Sequence, residues 1–365
     1  MIIGTNIANI LNVMKCANNI MRLKEYIPIL LMVSFFLFPP NGVNAEVYGE
    51  CSNCHTIHNS QGGESVTYQM NSGFTGYETE EISPKNYLLI TDCAGCHSST
   101  GTATIEVGDD DTPIVFNTST FNNPLAGGNF SYVRSDDAMG HNVDLFTDQD
   151  ATLGLTPPGG SAMSERLTCA GEFGCHGDRT AGKDNDEGVR GAHHKDDSGG
   201  ITGASVGLSY RFLDGTLGTE DNDWEQETVV DHNQYKGSTS SATDTISYLC
   251  SECHGDFHTW VGGASEVGTD SPWLRHPTDV ELPNSGEYAN YNAGTKTYNN
   301  LAPVAQTSPG LTTDDTVVPG SDIVMCLSCH RAHSSPYYKI LRWDVKSSSL
   351  ATALSGCNVC HTSKN

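Results

Sequence analysis

Cysteine pairs followed directly by a histidine recur along the whole sequence. Five of the six motifs share the spacing Cys-X-X-Cys-His, and the sixth has five residues between its thiols. The paired cysteines are Cys51 and Cys54, Cys93 and Cys96, Cys169 and Cys175, Cys250 and Cys253, Cys326 and Cys329, and Cys357 and Cys360. The histidines that follow them are His55, His97, His176, His254, His330 and His361. Of the 13 cysteines, Cys16 alone stands outside this pattern.

This spacing is typical of covalent haem attachment. Two thiols at positions i and i+3 can bond the two vinyl groups on one edge of a haem, and the next histidine then reaches the iron. A zinc site would need the cysteine pairs to combine in fours and does not require the trailing histidine. A disulfide framework predicts no histidine rule at all. The sequence therefore predicts haem c as the cofactor, with six expected, one at each motif.

The stretched motif leaves two interpretations open. A longer loop can still bring both thiols to the vinyl groups if it bulges, and Gly171 and Gly174 would permit that bulge. The alternative is a disulfide between Cys169 and Cys175. His176 keeps its place directly after the second thiol, which favours a haem here as well.

The remaining histidines could supply the second axial ligands. An iron used only for electron transfer takes two axial ligands, whereas a haem with an open face can bind or activate a substrate. The chain has 14 histidines, so eight remain for six distal positions. We expect the distal ligands to come from His58, His141, His258, His276 and His333, with His193 or His194 filling one place and His232 in reserve.

Two of these histidines closely follow a proximal one. His58 lies three residues after His55, and His333 three residues after His330. The thioether bonds hold each peptide on the proximal side of its own haem, so neither histidine should reach that haem's far face. Each is expected to ligate a different iron, which would hold two haems close together. His258, soon after His254, follows the same reasoning.

The composition excludes two classes of binding partner and leaves too few aliphatic residues for a conventional core. Lys and Arg total 19 against 44 Asp and Glu, a formal net charge of −25, so the surface repels nucleic acid and anionic lipid. Hydrophobic residues make up 37% of the chain while Gly occupies 38 positions, so an aliphatic core is under-supplied. Haem rings would fill the interior instead.

The N-terminal segment predicts export. Tyr26–Phe38 is an uncharged apolar run between basic residues and small residues, the order found in secretory signal peptides. We assign 1–45 to the signal peptide, in which 1–20 could be a misassigned start, and 46–365 to a single multihaem cytochrome c domain. The run is too short for a membrane anchor. We therefore expect no membrane span in the product, which is secreted through the periplasm to the cell surface or extracellular space.

The segments between the motifs predict little regular structure. They are rich in Gly, Ser, Thr, Asn and Asp, as in Asn284–Thr297. We expect mostly irregular coil with short helices and a few short strands, wrapped around a continuous chain of stacked c-type haems. Helix is expected over Leu350–Cys357 and for about a turn at each motif, and strands at Thr112–Phe116 and Ser209–Leu213.

Several blocks of the sequence resemble a known family. Cys51–Gly63, Trp273–Pro277, Cys326–Ser334 and Cys357–His361 resemble, in this order, blocks of the extracellular multihaem cytochrome filaments of metal-reducing bacteria. The likeness is to the hexahaem OmcS type and touches most of the chain after residue 45. The third block departs from it, because the stretched motif and Gly191–His194 resemble OmcE-like proteins instead.

The resemblance implies an assembly. In this family the haems form a continuous chain along a polymer of non-covalently joined subunits. The second histidine of the first CHxxH block ligates a haem in the adjoining subunit. Carried over to this sequence, His58 would ligate the iron held by His330 in a neighbouring copy.

The sequence therefore predicts an electron-transfer protein and not an enzyme. It would form filaments of its own copies and pass electrons to redox-partner cytochromes and to extracellular acceptors such as metal oxides. A monomeric periplasmic or cell-surface shuttle is an alternative with the same chemistry. A multihaem reductase is a second alternative, but it would need a five-coordinate haem, often marked by Cys-X-X-Cys-Lys, which does not occur here.

Overall fold

The computed structural model describes most of the chain after residue 93 and four short strands before it. The described residues are 60–61, 64–65, 68–70, 77–79, 93–95, 97–107, 110–117, 125–188, 218–219, 232–240, 242–257, 260–261, 264–265, 276–309 and 315–363. They all belong to one unit of the chain, Ala45–Asn365. The proposed signal peptide at 1–45 and the expected strand Ser209–Leu213 lie outside the described residues.

The strands are short and pair two by two. In chain order they are β1 Ser60–Gln61, β2 Glu64–Ser65, β3 Tyr68–Met70, β4 Tyr77–Thr79, β5 Ser98–Ser99, β6 Thr104–Val107, β7 Asp110–Pro113, β8 Phe116–Asn117, β9 Gly218–Thr219, β10 Gln234–Tyr235, β11 Trp260–Val261, β12 Ala264–Ser265, β13 Val280–Glu281 and β14 Ile323–Val324. The antiparallel pairs are β1–β2, β3–β4, β6–β7, β9–β10, β11–β12 and β13–β14, and β5–β8 is parallel.

The helices are equally short. The α-helices are α1 Asn185–Gly188, α2 Ile246–Ser251, α3 Leu350–Ala353 and α4 Cys357–Cys360. The 3₁₀ turns are Cys93–Gly95, Phe130–Tyr132, Asp137–Met139, Gly255–Phe257, Gly286–Asn290, Asn292–Gly294, Cys326–Ser328 and Tyr338–Ile340. None of the helices described here is long and apolar enough to cross a membrane. The expectation of mostly irregular coil with short helices and strands is confirmed.

Two expected elements are divided in the structure. The helix expected over Leu350–Cys357 is divided, because Leu354, directly after α3, has the non-helical dihedrals φ −101° and ψ 1°, and α4 begins only at Cys357. The strand expected over Thr112–Phe116 is split between β7 and β8. Pro113 ends β7 because it has no N–H to continue the ladder.

The apolar core is divided into three small clusters. Each contains six to eight buried residues and lies beside haem-attachment motifs. Ile246 and Leu327 belong to the first, Val359 to the second, and Ala94 to the third. This division fits the low aliphatic content, since no single cluster is large enough to organise the whole unit.

Candidate haem-binding sites

The described attachment motifs all close with the same hydrogen bond. In each of them the backbone N–H of the histidine donates to the carbonyl of the first cysteine. The N···O distances are 2.8 Å for His97, 3.0 Å for His176, 3.0 Å for His254, 3.1 Å for His330 and 2.8 Å for His361. In a regular motif this is the i to i+4 bond of one helical turn, so the turn itself brings the imidazole beside the thiols.

The stretched motif reaches the same closure by a different route. The carbonyl of Cys169 accepts hydrogen bonds from the N–H groups of both Cys175, at 3.1 Å, and His176, at 3.0 Å. Gly171 has a φ of +78°, and Gly174 lies directly against the backbone of Ala170. The three extra residues of this motif are thus folded into a bulge that only glycine permits at these two points. No disulfide joins Cys169 to Cys175 in the structure.

Eight of the predicted site residues lie outside the described part of the chain. They are Cys51, Cys54, His55, His58, Cys96, His193, His194 and His258. Their roles stay predictions. The other predicted site residues are all described.

Three pairs of histidine rings lie at nearly equal separations. The ring centroids are 6.1 Å apart in one pair and 6.2 Å apart in the other two. The pairs are His254 with His141, His176 with His333, and His361 with His276. Each pair joins the histidine of an attachment motif to a histidine expected as a distal ligand. Sequence reasoning identified the members but not the pairing.

Hydrogen bonds fix the orientation of most of these rings. Nδ1 lies within hydrogen-bond distance of a backbone carbonyl oxygen in His97, His141, His254, His276 and His330, at 2.7 to 2.9 Å. A carbonyl can only accept, so Nδ1 carries the proton in each of these rings. Nε2 is then left with a free lone pair, as a metal ligand requires.

Burial keeps several of the rings neutral. It lowers the pKa of His141 and of His176 to about 4, and that of His333 to about 3. The neighbouring histidines lower these pKa values further, because two positive rings would repel each other. At neutral pH these imidazoles are uncharged, which is the form that binds a metal.

A single stretch of backbone supports two of the pairs. The N–H of His141 donates to the carbonyl of His333 at 3.0 Å, and the Nδ1 of His141 lies 2.8 Å from the carbonyl oxygen of Ala332. The His333 ring stacks on Phe130 with centroids 4.8 Å apart. The same segment therefore presents His333 to His176 and His141 to His254.

His361 differs from the other motif histidines. Its Nδ1 lies 3.1 Å from the side-chain Oε1 of Glu287, not from a backbone carbonyl. Sequence reasoning missed Glu287, which lies far from His361 in the chain and inside a segment interpreted only as loop. His232 is buried with its ring stacked flat on Tyr298, at a centroid distance of 3.4 Å.

Known proteins resemble this chain in its last two motifs and over most of its length. Residues 320–365, which contain the last two motifs, match the family described as "Doubled CXXCH motif". The chain is 26% identical to the C-type cytochrome OmcS of Geobacter sulfurreducens over 371 aligned residues, covering 85% of this chain and 81% of that protein. The chain is therefore similar to the OmcS type of c-type cytochrome. Its cofactor is haem c.

Two solved structures resemble this cytochrome. The Outer Membrane Cytochrome S filament from Geobacter sulfurreducens is 21% identical and covers 86% of this chain and 98% of its own, with a TM-score of 0.48. The OmcS nanowires from the same organism are 19% identical and cover 87% of this chain and 98% of theirs, with a TM-score of 0.50. The latter likeness supports the coil-rich fold.

The histidine pairs of this cytochrome fit haem iron. A metal–imidazole bond is about 2 Å long and the ring centroid lies about 1.2 Å beyond the nitrogen, so opposed ligands on one ion have centroids roughly 6.4 Å apart. The observed separations of 6.1 to 6.2 Å agree with this value. Among the described residues, no group of three or more His, Cys, Asp or Glu could hold a metal ion. Two opposed imidazoles suffice for a haem, because the porphyrin supplies the other four nitrogens.

Proposed function

We propose that this cytochrome carries electrons along a chain of bis-histidine haems, within a filament made of its own copies. The observation that carries the proposal is the set of three opposed histidine pairs at 6.1 to 6.2 Å. An iron with both axial positions filled by imidazole has no site for a substrate. Such an iron gains and loses single electrons, which suits a carrier and not an enzyme.

The proposal gives each predicted site residue a role. The six cysteine pairs would form the thioether bonds, and the histidine after each pair would be the proximal ligand. His141, His333 and His276 are the distal ligands opposite His254, His176 and His361. The Nδ1 contacts of His141 and His276 and the stacking of His333 on Phe130 hold the rings in place, so little rearrangement is needed when the charge on the iron changes.

Neighbouring attachment sites lie close together. A hydrogen bond to Cys326 and burial both raise the pKa of the Cys250 thiol, so the first cysteines of two motifs are in contact. The N–H of Cys326 also donates to Ser247 Oγ at 3.3 Å, linking the two attachment turns. Two haems anchored at adjoining thiols are close neighbours. The shared segment at His141 and His333 links two further sites in the same way, which supports a continuous haem chain.

In this proposal the filament is joined by His58 of one copy, which ligates the iron held by His330 of the next. Among the described residues, no second histidine faces His330 across a gap like those of the three pairs. A distal ligand for this iron therefore has to come from elsewhere. The likeness of this chain to the cytochrome OmcS, which forms nanowires, supports His58 of an adjoining copy as that ligand. A polymer joined in this way is expected outside the cell, delivering electrons to redox-partner cytochromes and to acceptors such as metal oxides.

His58→Ala is expected to abolish filaments while leaving a folded protein that keeps all its haems. The exchange removes a ligand that only the neighbouring copy uses, so each subunit retains its internal pairs. Negative-stain electron microscopy and the haem absorption spectrum measure the two effects. Asn59→Ala is the control and should polymerise normally. Filaments that persist in His58→Ala would exclude the ligation between subunits, and a parent protein that is monomeric would favour the soluble shuttle.

A further inference from the structure

We propose that Glu287 is a positioning residue that lowers the reduction potential of the haem attached at Cys357 and Cys360. This inference rests on the proposed function, since it concerns how the His361 ligand acts on its iron. Glu287 is in the 3₁₀ turn Gly286–Asn290, and its carboxylate reaches the Nδ1 of His361 at 3.1 Å. The side chains of His361 and Glu287 are 24% and 12% exposed.

The hydrogen-bond acceptor at the His361 ring is a carboxylate, which differs in charge from the acceptors at three other motif histidines. Nδ1 of His97, His254 and His330 lies next to neutral backbone carbonyls, at 2.7, 2.8 and 2.9 Å. An ionised carboxylate is a stronger acceptor than a carbonyl, because the hydrogen bond is assisted by its charge. It draws the Nδ1 proton toward itself and makes the Nε2 lone pair a better electron donor.

A more strongly donating ligand stabilises the ferric state relative to the ferrous state. Reduction of this haem is the gain of one electron by Fe(III) to give Fe(II), and the Nδ1 proton stays on the ring in both states. The negative charge of Glu287 acts in the same direction, since the ferric site is one unit more positive than the ferrous site. Glu287 therefore makes this haem harder to reduce than a haem with a carbonyl acceptor. Electrons would pass from it readily to its neighbours.

Two residues that follow His361, Thr362 and Ser363, hold Glu287 in place. Ser363 Oγ donates to the second carboxylate oxygen, Oε2, at 2.7 Å, and Thr362 Oγ1 donates to the Glu287 backbone carbonyl at 2.7 Å. Tyr288 packs edge-on against the His361 ring with centroids 5.0 Å apart. These contacts fix both partners of the Glu287–His361 hydrogen bond. The Ser363 donor also withdraws some electron density from the carboxylate.

The geometry of this pair gives a way to observe one haem among six. The rings of His276 and His361 are nearly perpendicular, at 89°, whereas the other two described pairs are inclined at 46°. Perpendicular axial imidazoles leave the two π-bonding orbitals of ferric iron nearly equal in energy. The electron paramagnetic resonance signal of this haem is then strongly anisotropic, which distinguishes it from the signals expected for the other two described pairs during a redox titration.

The test is a potentiometric titration of Glu287→Gln, monitored through that signal. The glutamine keeps the shape and an acceptor oxygen but loses the charge. We expect about a tenfold shift of the one-electron equilibrium toward the reduced form, which is about 59 mV. Ser363→Ala should produce a smaller shift of opposite sign, because the carboxylate then keeps its full electron density for His361. Glu281→Gln removes the same charge from an exposed position and should change this haem's potential far less.

The outcomes separate the inference from the proposed function. An unchanged potential in Glu287→Gln, or a shift equal to that of Glu281→Gln, would overturn the role of Glu287 while leaving the haem chain intact. Absence of any low-spin haem signal in the parent protein would instead refute the proposed function. A Ser363→Ala shift in the same direction as Glu287→Gln would show that the carboxylate acts only through local structure, which also contradicts the inference.

Discussion

His333→Ala is expected to create one haem that binds carbon monoxide in a protein that otherwise binds none. The ring of His333 lies 6.2 Å from that of His176, centroid to centroid. Alanine cannot ligate iron, so the haem at the stretched motif becomes five-coordinate on reduction. We expect about one equivalent of carbon monoxide bound per chain, measured from the absorption change of the reduced protein.

His333→Met is the matched control for this experiment. Methionine restores a sixth ligand and should suppress carbon monoxide binding while raising the potential of that haem, because a thioether favours the ferrous state. Intact mass of each variant verifies that the haems remain attached. If His333→Ala binds no carbon monoxide with all its haems present, His333 is not the ligand opposite His176. Binding by the parent protein would reopen the reductase alternative.

Gly174→Ala is expected to cost the protein one haem. A Cβ at this position would overlap the backbone of Ala170, and the loop has no flexible side chain there to move aside. The overlap opposes the hydrogen bonds from Cys175 and His176 to the Cys169 carbonyl, which set the spacing of the two thiols. Overpacking of this kind costs about 1–3 kcal/mol locally. Mass spectrometry should show most molecules with one haem fewer than the parent.

Gly255→Ala is the control for the stretched loop. Gly255 also sits beside an attachment motif, directly after His254, but a Cβ there meets no atom within 4 Å. This variant should keep every haem. If Gly174→Ala is fully loaded as well, the bulge is not needed for attachment. Equal loss in both variants would point to a general folding defect and would contradict the specific role of Gly174.

The sequence was sufficient for the features that depend on local chemistry. The motif spacing predicts an imidazole held beside two thiols, and the shared hydrogen bond to the first cysteine carbonyl shows how a single turn achieves it. The glycines of the stretched loop were predicted for the same reason, since a bulge in so short a segment needs backbone that other residues avoid. The coil-rich fold followed from the composition of the connecting segments.

Features that depend on contacts between distant segments could not be predicted. That His333 faces His176 depends on Gly127 and Phe130, which pack against its ring from far away in the chain. Glu287 carries no motif, and its role appears only where the last turn of the chain meets it. The close approach of Gly356 to the Trp343 ring is likewise a contact between separate segments, about which helical periodicity contains no information.

The most direct test of the account is the intact mass of the mature protein isolated from its native export pathway. We predict a single species that carries six covalently bound haems and begins close to residue 46. Five haems with an oxidised Cys169–Cys175 pair would contradict the interpretation of the stretched motif. A polypeptide mass without haem, with zinc or disulfides on the other cysteines, would contradict the central claim.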